Sequence, residues 1–130
     1  MIIDGTPLLR IRIENPFLNA KYPQEGEVLA MVDTGYEGFL AVPPDIYSAL
    51  KLDQLIQQHG EIILPDGRVI QTNMAYGTIH VAQAKIKLDG PIETFPQLDE
   101  IILGQQALTN LNINLNYCQK HITIKPCQQT

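Results

Sequence analysis

The stretch Val28-Leu29-Ala30-Met31-Val32-Asp33-Thr34-Gly35 decides how this sequence is read. An apolar run from Val28 to Val32 that stops at an Asp-Thr-Gly turn describes a buried strand presenting a carboxylate at its end. Asp and Gly are common turn formers, so the triplet alone reads as an ordinary structural turn and supports no function by itself. Its meaning depends on what surrounds it.

Upstream, Leu9, Ile11 and Ile13 alternate with Arg10, Arg12 and Glu14, the period-two pattern of a strand with one buried face, and a turn follows at Asn15-Pro16. Downstream, Pro43-Pro44-Asp45 opens a helix through IYSALKL, with Ile46, Ala49 and Leu50 expected on its buried face. A short helical continuation through Leu55 and Ile56 is expected to close at Gly60. Next, EIIL and RVIQT flank Pro65-Asp66-Gly67, which predicts a β-hairpin with a tight turn. A second Asp-Gly, Asp89-Gly90, is expected to join the strand HVAQAKIKL to IETF. Finally Ile102-Leu103 runs into Gly104, QQALTNL suits a short helix, and INLNY and HITI close the chain as strands. The expectation is an all-β fold, mostly antiparallel, forming a small closed or partly open barrel with one or two short helices.

The chain has 130 residues, 45% of them hydrophobic, which suits one domain over residues 1–130. There is no apolar run of about eighteen residues and no leader-like start, so the protein is expected to be soluble and cytoplasmic, with no membrane partner. Cys118 and Cys127 could close only a small terminal loop, and reduced thiols are the expected state. A net charge of −5 with scattered basic residues argues against nucleic acid as a partner. His59, His80 and His121 have no metal-ligand spacing, so neither metal nor cofactor is expected. Ser48 lies inside the expected helix and no G-x-S-x-G occurs, which leaves a serine hydrolase without a nucleophile elbow.

Three elements in fixed order carry more than any one alone. VDTGYEGFLAVPP, ILPDGRVI and ILGQQALTNLNINLNY together resemble the catalytic loop, flap hairpin and closing element of the retropepsin-like aspartic proteases. The resemblance is closest to the small bacterial predicted aspartyl proteases, related to the retroviral proteases and to the central domain of the DNA-damage-inducible proteins. It covers about Leu9 to Ile124.

The resemblance implies an acid-protease barrel acting as an aspartic endopeptidase. Asp33, Thr34 and Gly35 would be the catalytic triplet, and Pro65, Asp66 and Gly67 the tip of a flap that closes over a peptide or protein substrate. Hydrolysis by this route needs two carboxylates sharing one proton, and one triplet supplies half of them. A homodimer is therefore implied, with Leu9 to Ile13 and His121 to Ile124 as expected pairing elements. By the same resemblance, the Gly35 N–H approaches the carboxylate, the Thr34 hydroxyl bonds across the dimer, and Ile102-Leu103-Gly104 packs beside the catalytic loop. Two departures stand out. Gln105 replaces the arginine common in retroviral proteases, which removes a charged tie to the loop and leaves Glu37 without its ion pair, and the flap tip is charged with a single glycine. The alternative is a weak or inactive module of the same fold, kept for dimerisation or for binding extended peptides. An accidental turn in a structural barrel is the remaining reading.

Overall fold

A computed structural model describes residues 1–127. The strands are β1 (Ile2–Ile3), β2 (Thr6–Asn15), β3 (Ala20–Tyr22), β4 (Val28–Val32), β5 (Leu40–Ala41), β6 (Gln58–Ile63), β7 (Val69–Val81), β8 (Ile86–Thr94), β9 (Ile102–Leu103), β10 (Leu111–Asn116) and β11 (His121–Pro126). Helix α1 spans Pro44–Ala49, helix α2 spans Gln105–Leu108, and one 3-10 turn covers Leu52–Gln54.

The alternation in β2 is realised in full: Leu9, Ile11 and Ile13 are completely buried. They face a core that also holds Leu40, Val42, Leu50, Leu52, Ile79, Val81, Ile92 and Leu103. Sheet pairing runs β1-β2-β4-β9-β5-β8-β7-β6, and a further β2–β7 pairing closes β2, β4, β9, β5, β8 and β7 into a ring. Closure gives every barrel strand a hydrogen-bonding neighbour and buries one face of each. The fold is all-β with two short helices, as the sequence predicts.

One short strand sets the geometry that matters most. β9 threads between β4 and β5, parallel to β4 through Met31↔Ile102 and Val32↔Leu103 and antiparallel to β5 through Leu40↔Leu103 and Ala41↔Ile102. The loop from 33 to 39 therefore arches over the end of β9.

Several expectations are corrected by the structure. Asp89-Gly90 is not a turn: β8 runs straight through it, with Gly77 opposite Gly90, and the reversal falls at residues 82–85, where Lys85 is left-handed at φ 52°. A Cβ on Gly90 would lie 2.7 Å from the Phe39 ring, so this glycine serves close packing within a strand. Gly60 is likewise within β6, and the left-handed residue after α1 is Lys51. The buried face of α1 carries Ile46 and Tyr47, followed by Leu50, while Ala49 is exposed. Nor can Leu9 to Ile13 pair with another copy. One edge of β2 is taken by β4 and the other by β7.

The turn at Asn15-Pro16 does more than reverse the chain. Asn15 is fully buried, its Nδ2 donates to the Leu50 carbonyl at 2.9 Å, and its Oδ1 accepts from the amides of Phe17 and Leu18. A single side chain thus joins the end of β2 to the end of α1. In the expected hairpin, β6 and β7 pair from Gln58↔Met74 to Ile63↔Val69, and Gly67 takes φ 89° at the tip. Positive φ at that position is why glycine is needed there. Among the described residues no helix is long and apolar enough to cross a membrane.

Candidate active site

Asp33 leaves β4 with its amide bonded to the Leu103 carbonyl at 3.0 Å, so the start of the loop is anchored to β9. Its Oδ1 accepts a hydrogen bond from the Gly35 amide at 2.9 Å, and the loop tightens further through Tyr36 N–H to the Asp33 carbonyl at 3.2 Å. A charge-assisted bond from a backbone amide fixes the carboxylate's rotamer. Asp33 is half-buried, and Thr34 and Gly35 are exposed.

The far side of the loop is stitched to the segment after β9. Gly104 donates to the Phe39 carbonyl at 3.0 Å, Gln105 to that of Tyr36 at 2.8 Å, and Gln106 to that of Gly38 at 3.0 Å. A Cβ on Gly104 would lie 2.3 Å from the Gly38 carbonyl oxygen, so no larger residue fits this crossing without a backbone shift. The sequence departure at Gln105 proves to be no loss of attachment: its Nε2 donates to the Thr34 carbonyl at 2.7 Å. A neutral amide holds the loop where a cation was missed. Glu37 is exposed and, among the described residues, in no ion pair.

Tyr36 enters the interior from this loop. Its hydroxyl donates to Glu93 Oε1 at 2.5 Å, and the other carboxylate oxygen of Glu93 accepts from the Thr72 hydroxyl. Burial, and then the hydrogen bond and negative charge of Glu93, push the Tyr36 phenol far above its ordinary range. Sequence reading missed these residues; a lone Glu in the apolar-flanked IETF was the available signal.

At the tip of the β6–β7 hairpin Asp66 Oδ1 accepts from the Arg68 amide at 3.0 Å and Oδ2 from Arg68 Nε at 2.7 Å. These two bonds hold the Asp66 carboxyl below its usual pKa and balance its charge locally. Pro65, Asp66 and Gly67 are all exposed, and Ile63 and Val69, paired across the hairpin, are 73% and 53% exposed. The β6–β7 hairpin therefore presents apolar side chains behind a neutralised tip.

Two surface hollows lie away from the triplet. One of about 390 Å³ is lined by Arg12, Glu14, Lys21 and His80 among others, and one of about 360 Å³ by His59, Thr72, Asn73 and Thr94 among others. Neither includes Asp33, Thr34 or Gly35. Among the described residues no cluster of His, Cys, Asp and Glu has the arrangement of a metal site. Cys118 and Cys127 are free and exposed.

Comparison with solved structures places this architecture. The protease of EIAV, complexed with the inhibitor HBY-793, superposes with a TM-score of 0.59 at 16% identity, covering 82% of this chain and 88% of that one. The retroviral protease-like domain of Ddi1 from Leishmania major gives 0.51 at 15% identity, covering 90% and 87%. The fold is retropepsin-like. An uncharacterized protein of the archaeon Archaeoglobus fulgidus is 41% identical over 127 residues, 98% of this chain and 99% of the relative. This chain belongs to the same family as that archaeal protein. No established family model matches the sequence.

Proposed function

We propose that this protein is an aspartic endopeptidase in which two copies of Asp33, one from each chain of a homodimer, activate a water molecule. The observation that carries the reading is Asp33 itself, fixed by Leu103 and Gly35 at the mouth of a loop framed by β4, β9 and β5 in a retropepsin-like barrel. The exposure of Thr34 and Gly35 fits a site completed by a second copy. β11, including His121 to Ile124, pairs with β10 in a separate two-stranded sheet and remains a candidate for dimer pairing. Residues 1–130 act as one domain.

In the reaction, the ionised member of the Asp33 pair takes a proton from water as its oxygen attacks the scissile carbonyl carbon. The protonated member gives its proton to the carbonyl oxygen. Collapse of the resulting diol breaks the C–N bond and passes a proton to the leaving nitrogen. The Gly35 amide and the Gln105–Thr34 bond keep the carboxylate aimed, and the hairpin around Pro65, Asp66 and Gly67 covers the peptide.

Incubation with a mixed peptide library from acid to neutral pH, with and without a transition-state-mimicking inhibitor, tests this directly. A bell-shaped, inhibitable cleavage rate is expected, its limbs marking loss of the singly protonated pair. Sedimentation must show a dimer under the same conditions. Full activity in a monomer would sink the shared-site reading, and no cleavage at any pH would leave a peptide-binding module.

A further inference from the structure

Glu93 is a carboxylate in the wrong place for an ordinary core. It is 6% exposed in β8, and among the described residues no Lys, Arg or His forms an ion pair with it. Burying a carboxylate without a cation is costly, and a leucine or glutamine at this position would avoid most of that cost. Its two oxygens are instead divided between two hydroxyls. Oε1 takes the bond from Tyr36 of the Asp33 loop, and Oε2 the bond from Thr72, which lies in β7 opposite Gly60 of β6 at the base of the flap hairpin.

The surrounding backbone makes room for this arrangement at two separate points. A Cβ on Gly38 would sit 2.3 Å from the Tyr36 hydroxyl oxygen. One on Gly60 would sit 2.9 Å from Thr72 Oγ1 and 3.4 Å from Glu93 Oε2. Gly38 and Gly60, distant in sequence, thus both leave room beside the two hydroxyl–carboxylate bonds, Gly60 also making room for Met74. We propose that Glu93 is a positioning residue that clamps the Asp33 loop to the base of the flap, so that flap position and carboxylate aim are set together. Both oxygens act as acceptors, which is the role an ionised carboxylate fills and a neutral amide fills only by halves. The Glu93 carbonyl also accepts from the Val42 amide at 2.9 Å, which holds β8 against the segment following the loop. A shift of the flap base at Thr72 is therefore transmitted through one side chain to Tyr36, three residues from Asp33.

This inference rests on the protease reading for its catalytic consequence, but its mechanical content is measurable without cleavage. The experiment compares the unmodified protein with Tyr36→Phe, Glu93→Gln and Thr72→Val by amide hydrogen exchange and, in parallel, by peptide cleavage. Tyr36→Phe removes one oxygen and leaves the ring packing intact, so it keeps the test open if Glu93→Gln folds poorly. Thr78→Val serves as control, because Thr78 bonds Asp89 at 2.7 Å on the same pair of strands, away from the Asp33 loop. Tyr36→Phe should speed exchange in residues 58–63 and 69–73 as well as in 33–39, by about ten-fold as expected for loss of a bond to a charged acceptor. It should lower kcat by a comparable factor with a smaller change in KM. The Tyr36→Phe effect should shrink in the Thr72→Val background, since both act through one carboxylate. Thr78→Val should move neither quantity.

Faster exchange confined to residues 33–39, with the hairpin as in the unmodified protein, overturns the clamp. So does unchanged kcat in both Tyr36→Phe and Glu93→Gln while the unmodified protein cleaves. If the unmodified protein does not cleave at all, the protease reading falls and the exchange pattern alone decides the clamp.

Discussion

Replacing Asn15 with alanine should destabilise the protein by about 2–4 kcal/mol, an amount that follows from how its hydrogen bonds are distributed. The Nδ2 bond to the Leu50 carbonyl is buried, and Asn15 is 0% exposed, so the carbonyl left behind has no water to turn to. That orphaned acceptor costs about 1–3 kcal/mol. The two amides served by Oδ1, those of Phe17 and Leu18, belong to exposed residues and can be hydrated, at about 0.5 kcal/mol each. With an unfolding entropy of about 2.1 cal/mol/K per residue, the sum lowers Tm by roughly 7–15 °C for a chain of this length. Asn15→Asp makes a sharper companion. It keeps both acceptor bonds, sets a carboxylate oxygen against the Leu50 carbonyl, and should be at least as damaging at neutral pH. Urea unfolding followed by far-ultraviolet circular dichroism, at one fixed protein concentration, measures both variants. A loss under about 1 kcal/mol for Asn15→Ala with unchanged denaturant slope would show that the Leu50 carbonyl is satisfied in another way, and the accounting would be wrong.

Four further outcomes are expected. Asp33→Asn should fold, dimerise and cleave nothing, because an amide neither takes the proton from water nor shares one; retained cleavage by a folded dimer removes Asp33 from the chemistry. Gln105→Glu should reduce cleavage by about ten-fold by setting a carboxylate against the Thr34 carbonyl, whereas Gln105→Arg keeps a donor there and should stay near the unmodified rate; equal rates for the two would dismiss the tie. Amide exchange across residues 62–72 should slow when a transition-state mimic binds, and no change at saturation would count against the flap. Alkaline stability should be governed by Tyr36 and Tyr47, both with raised pKa values, the latter pushed up to about 12 chiefly by burial. The folded state keeps these protons where the unfolded chain has lost them, so stability is full below about pH 10 and falls as pH rises towards 12. Tyr47→Phe should flatten that decline in urea midpoints taken from pH 9 upward.

The barrel was legible where side-chain periodicity and burial coincide. Leu9, Ile11 and Ile13 announce β2, and Pro65-Asp66-Gly67 announces the hairpin, because a positive φ at Gly67 is a local demand. Asp89-Gly90 misleads for the opposite reason. Its glycine answers to the Phe39 ring, a contact from far along the chain that no local pattern records. Gly60 fails in the same way, yielding space to Thr72 and Met74 rather than ending a helix. At the candidate site, Asp33-Thr34-Gly35 could be found from its neighbours in sequence, but Glu93 could not. Its partner Tyr36 lies 57 residues away, and only closure of the barrel brings the hydroxyl to the carboxylate. The Gln105 amide illustrates how a substitution judged by charge can preserve a hydrogen bond.

The threading of β9 between β4 and β5 has a consequence for the order of biosynthesis. Thr34 and Gln105 are 71 residues apart, and both walls of the Asp33 loop borrow their hydrogen bonds from the later segment. A nascent chain halted before residue 102 has β4 and β5 with open edges, and only the local Gly35 amide holds the Asp33 carboxylate. Such edges are sites for pairing with other chains, so they are the part of the emerging molecule most in need of protection. The same dependence delays the loop's framing: Asp33 exists early in translation, but the hydrogen bonds to Leu103, Gly104, Gln105 and Gln106 form only when residues 102–106 have left the ribosome.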